Sequence, residues 1–310
     1  MIVDGYVFSE KLIKLYKEVQ QLRPECNINI EIVDKVPIEE ENVDGLQMNL
    51  PDGSVEIYVK RNAHLEVILS HELLHAYFLR KGYPNHHYID GDDTLIHKCG
   101  RDLYNQVIHK LILEEQLKRG FEVDKHQYYL AENLGSGMVD ESDPGVVMQF
   151  ALVILHCNVL CGKYSELYDQ KIKESFPKSH SVAKKLYRAM IKQDFQEPEE
   201  TRQAIVRVIK SFELCTKNFG LCSLNLPQNV IITFYPTEIE MKKCVNEVFH
   251  LSASSKEYQG LQCWTLVANK DNQAAFILAT VNSTYSDIRN FMKNTIVQEL
   301  YKESNCIKLI

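Results

Sequence analysis

Residues 71–75 read His-Glu-Leu-Leu-His, and this spacing is the strongest chemical signal in the chain. On a helix, positions i and i+4 share a face, so the two imidazoles can grip one metal ion. Zinc suits neutral imidazole nitrogen, and a catalytic zinc takes three protein ligands and keeps one position for water. Glu72 follows the first ligand directly. It is placed to take a proton from a water on the metal and pass it to a leaving amine, the work of a general base. The bland alternative is an amphipathic helix with two histidines and no metal. Against it, Ile68, Leu69, Leu73, Leu74, Ala76 and Tyr77 put the pair on a buried helix.

A third ligand must come from elsewhere. A continuation with Gly at 78 and His at 81 would make the metzincin class, but the residues are Phe78 and Lys81. The next strongly helical stretch, Arg101 to Arg119, offers His109 among Ile108, Ile112 and Leu113, 34 residues after His75. A histidine on an apolar stripe is often only a core residue; after such a motif it is the leading ligand candidate. Glu114 and Glu115 come next, followed by His97, His86, His87 and Glu132. Asn105 is one turn before His109 and could orient a ligand. Tyr88 and Tyr128-Tyr129 are candidate donors to an oxyanion.

With these residues in view, the sequence resembles the zincin metallopeptidases, and within them the cytoplasmic HExxH proteins of bacteria and phages of the ImmA/IrrE type. The resemblance covers about residues 1–120. It implies a zinc-dependent peptidase domain, in which a small twisted sheet packs on the motif helix. It also implies that an edge strand aligns an extended substrate by strand addition; the candidate is Val55 to Arg61, just before the motif helix. The glutamate-alanine-rich helix that follows the motif in ImmA-type proteins is not found here.

The elements that must position these groups follow from periodicity. Phe8, Leu12, Leu15, Val19 and Leu22 predict a helix over 8–22. Three alternating runs predict strands at 28–32, 46–50 and 55–59, the last two joined through Pro51-Asp52-Gly53-Ser54, which is hairpin chemistry. The motif helix should span about 63–80 and stop at Gly82 and Pro84. Helices are expected at 92–118, 144–161, 163–174, 179–193 and 199–217. From 228 the period changes to a strand at 230–235, a helix at 237–248, a hairpin of 261–267 with 274–279, and a helix at 286–301.

The expected fold is α+β: a zincin-like domain over 1–135, a helical region over 136–217 and a small α/β domain over 225–310 that could serve a regulatory partner. The chain has 310 residues, 45% hydrophobic and 25% charged, an ordinary globular composition. Its net charge of −7 argues against a dedicated nucleic-acid footprint. The only basic helical stretch, 181–217, reads as a solvated face. No segment is apolar enough to span a membrane. Nine cysteines without a CxxC motif suggest free thiols and a cytoplasmic setting. Cys157 and Cys161, like Cys215 and Cys222, read as structural thiols, and Trp264 as core.

The expected function is zinc-dependent hydrolysis of a peptide bond in a protein or peptide substrate, with His71, His75 and His109 as ligands and Glu72 as base. The alternatives are a metal-stabilised regulatory or interaction module without turnover, and a metal-dependent hydrolase of a non-peptide bond.

Overall fold

A computed structural model describes residues 2–3, 5–37, 44–62, 64–87, 94–132, 140–252, 256–258, 261–281 and 283–303. They mix helix and sheet and group into two compact units interleaved along the chain. The first unit takes Met1–Tyr83, Ile108–Val139 and Val153–His180; the second takes Pro84–Val107, Asp140–Leu152 and Ser181–Ile310. The sequence suggested consecutive domains instead. No helix among the described residues is long and apolar enough to cross a membrane.

In the first unit, α1 (Glu10–Leu22) buries Leu12, Leu15 and Val19. Strands β1 (Ile28–Val33), β2 (Gly45–Asn49) and β3 (Val55–Lys60) form one sheet in the order β1-β3-β2. β3 pairs in parallel with β1 and antiparallel with β2. Val55, Ile57 and Val59 alternate inward and are buried, while Glu56, Tyr58 and Lys60 are half-buried. The turn into β3 is the expected one. Gly53 has φ 85°, in the left-handed region. The Ser54 amide donates to Asp52 Oδ1 at 2.8 Å and the Leu50 amide to Ser54 O at 2.9 Å. The candidate edge strand Val55 to Arg61 is therefore corrected. β3 has a partner on both sides, and the open edge beside the motif helix belongs to β2.

The motif helix α2 (Leu65–Arg80) ends as its sequence directs. Gly82 has φ 83°, and the Tyr83 amide donates to Phe78 O at 3.0 Å, closing the last turn. Arg80 reaches back to Val19 O and Cys26 O at 3.0 and 2.9 Å, tying the helix end to α1 and the approach to β1. The long helix α3 (Thr94–Lys118) is locked on α2 by one buried amide. Gln116 Nε2 donates to Val67 O at 2.8 Å and to Ser70 Oγ at 2.7 Å. His109 lies seven residues before Gln116, two turns back on the same face. Helices α4 (Asp124–Glu132), α5 (Pro144–Leu160), α6 (Ser165–Ser175), α7 (Pro177–Met190) and α8 (Pro198–Asn218) follow.

In the second unit, β4 (Phe249–Leu251) and β5 (Lys256–Tyr258) both pair with β6 (Leu261–Ala268), which also pairs with β7 (Ala274–Thr280). Trp264 is buried, as expected, with Phe234, Phe249, Leu266 and Phe276. Two expected helices are corrected. The stretch 237–248 divides into Glu238–Met241 and Val245–Val248, and 286–301 into α9 (Tyr285–Asn294) and α10 (Val297–Glu303). The breaks face each other across a β-bridge between Cys244 and Ile296, so tertiary pairing overrides the helical period.

Replacing Gln116 with Ala leaves Ser70 Oγ without its buried donor and takes one of two side-chain donors from Val67 O, the other being Ser70 Oγ. The expected cost is about 1–3 kcal/mol, read as a lower unfolding free energy in denaturant titration. Gln116→Glu, which loses the amide donor, should behave similarly at neutral pH.

Candidate metal centre

Three elements of the first unit bring the site together. α2 carries His71, Glu72 and His75, and its apolar residues Leu69, Leu73 and Leu74 are fully buried on either side of them. α3 carries His109, which is 9% exposed. The three rings meet edge-on: His71 and His75 centroids are 5.0 Å apart, His71 and His109 4.7 Å, and His75 and His109 5.2 Å. One ligand nitrogen from each lies within 4.8 Å of the others. Nitrogens around a tetrahedral zinc sit about 3.3 Å apart, a spacing that small side-chain rotations would reach.

Burial sets the charge state. It pushes His75 down to about 4 and His71 and His109 well below the usual imidazole value. Neighbouring rings also disfavour protonation of His71 and His109. The centre therefore holds neutral, ligand-ready imidazoles at neutral pH. His109 Nδ1 is buried and has no hydrogen-bond partner among the described residues. Converging neutral donors, one with an orphaned nitrogen, suit a borderline-soft cation such as zinc, so the residues present fit the group.

Glu72 is 8% exposed, and burial raises its carboxyl to about 8. The strand β2 presses on it. A Cβ at Gly45 would lie 2.6 Å from Glu72 Oε1 and 2.7 Å from Ile68 Cγ2. Only glycine lets the strand pass this close to the carboxylate. A glycine opening an alternating run is a sequence signal for close backbone approach, and it went unread.

Two further imidazoles flank the triad. His126 of α4 packs on His64 at 5.2 Å and stacks with Tyr129 at 6.4 Å. Its Nδ1 is buried without a hydrogen-bond partner among the described residues. It acts electrostatically on His71 and is itself acted on by Asp44, next to Gly45. His156 of α5 packs edge-on against His109, centroids 5.5 Å apart.

The other candidates are not in the triad. Glu114 pairs with Lys110, and Glu115 with Arg119 and Lys118. Glu132 hydrogen bonds with Tyr128. Asn105, His86, His87 and His97 belong to the second unit. Asn105 is half-buried one turn before His109, and nothing in the first unit assigns it an orienting role. Tyr88 lies outside the described residues. Of the tyrosine pair, Tyr129 stands beside His126 and His64, and Tyr128 packs on Tyr164. Cys157 and Cys161 hydrogen bond with each other, which raises the Cys157 thiol and lowers that of Cys161.

Compared with known protein families, curated proteins and solved structures, the chain matches none.

Two outcomes are expected. Gly45→Ala should cost about 1–3 kcal/mol of stability by overpacking and displace Glu72, leaving the three imidazoles and their metal uptake in place; denaturant titration and zinc binding check it. The metal-free protein should also lose stability as pH falls from 6.5 towards 4. Over that range the unfolded chain takes up protons that the buried His75 ring refuses. Thermal melts of chelator-treated protein should show this fall, reduced in His75→Phe.

Proposed function

We propose that the chain is a zinc-dependent metallopeptidase that cleaves a peptide bond in a protein or peptide substrate. The observation that carries this reading is the arrival of His109 at the His71–His75 pair, with Glu72 buried beside them. Three protein ligands leave a coordination position open, whereas a purely structural zinc site closes with four. The resemblance to ImmA/IrrE-type zincins points the same way. A cytoplasmic setting is part of this proposal.

His71, His75 and His109 would hold the metal. When bound, zinc supplies a Lewis acid that polarises a carbonyl and acidifies water. Glu72, held by the backbone of Gly45 at its side, takes the proton from the attacking water. It then delivers that proton to the amine nitrogen as the C–N bond breaks. A base must be ionised, and the carboxyl that burial raises in the metal-free protein is lowered by a neighbouring cation. The outer edge of β2 runs past Glu72 and has no strand partner among the described residues. An extended peptide adding to this edge would bring its carbonyls along the site.

The test is a quenched-fluorescent peptide library and a cell-extract digest with zinc-loaded wild type and Glu72→Gln. Wild type should cleave, and Glu72→Gln should bind equal zinc with turnover lower by at least about 100-fold. Equal zinc with no cleavage by either protein, across peptides and extract, would favour a metal-stabilised interaction module.

A further inference from the structure

His156 has no part in the reaction just described, yet it touches a ligand of the centre. Its ring meets His109 edge-on at 5.5 Å and 63°. The ligand rings meet one another at 4.7–5.2 Å and 61–72°. His156 therefore extends the same edge-to-face series by one ring. It also acts electrostatically on both His71 and His109, whereas burial alone accounts for the His75 shift.

Its setting is apolar. Beside it on α5, Ile154, Leu155 and Val159 are buried, and His156 is the helix's single nitrogen base. His156 stands outside the group whose nitrogens lie within 4.8 Å of one another. A change of side-chain rotamer moves a histidine nitrogen by several ångströms without moving the helix.

We propose that His156 is a fourth, exchangeable imidazole of the metal centre. Turned inward, it fills the open coordination position and closes the site at rest; in the arrangement described here its nitrogens stand outside the three-histidine group, and that position is left free. This rests on the three-histidine reading above and adds a guard to it: substrate must displace His156 before water can be activated.

Cobalt(II) and zinc binding test the proposal without reference to turnover. Visible absorption of the cobalt protein reports coordination number and donor set, and competition with a chromophoric chelator gives zinc affinity. His156→Phe keeps an aromatic ring against His109 and has no donor nitrogen, so it separates coordination from packing; His156→Ala leaves a ring-sized space. We expect both variants to lose zinc affinity by about 10–100-fold and to change the cobalt spectrum. Added free imidazole should return the His156→Ala spectrum to that of wild type. Wild-type affinity and spectrum in His156→Phe would overturn the proposal and leave the three-histidine centre standing. Absence of metal from the wild type, or its full retention in His109→Ala, would overturn the centre itself and this proposal with it.

Discussion

Three imidazoles packed ring to ring in surroundings that disfavour their protonation are the constraint on which the candidate centre depends. Burial penalises a proton on each ring, and neighbouring rings add to that penalty at His71 and His109. The triad therefore stays neutral and offers lone pairs. A cluster of this kind is costly in a folded core unless something accepts those lone pairs. His109 Nδ1, buried without a hydrogen-bond partner among the described residues, marks that cost. A cation relieves it, and its binding energy then becomes part of the folding energy.

The fold spends its order on holding the rings together. The sheet packs on α2 through Val55, Ile57 and Val59, so the motif helix cannot roll. Gln116 pins α3 to α2 at Ser70, the residue just before His71. Arg119 of the same region pairs with Glu18 and Glu115 and lies over Tyr77, adding charged ties at the rim of the packed helices. Glu72 owes its position to the absence of a side chain at Gly45. Base and ligands are thus fixed by different elements, and each can be perturbed separately.

Much of this was legible in the sequence, because local signals carried it. The HExxH spacing, the apolar flanks of 65–80, the Gly82 stop and the Pro51–Ser54 turn are properties of a few neighbouring residues. His109 could be ranked above Glu114 and Glu115 because it follows the motif on the next apolar helix. What could not be read depended on pairing between distant segments. The order β1-β3-β2, which moved the open edge from 55–61 to 45–49, follows from a parallel pairing that no hairpin signal encodes. The breaks in 237–248 and 286–301 come from a bridge between them. His126 and His156 sit in helices whose sequences look like ordinary amphipathic and apolar stretches. Their nearness to the triad is a fact of packing alone.

The most direct measurement is the zinc content of purified wild type and His109→Ala by mass spectrometry after zinc loading and desalting. The three-histidine centre predicts one zinc per chain in the wild type and loss of it in His109→Ala, with the fold retained. No zinc in the wild type, or full zinc in folded His109→Ala, would contradict it.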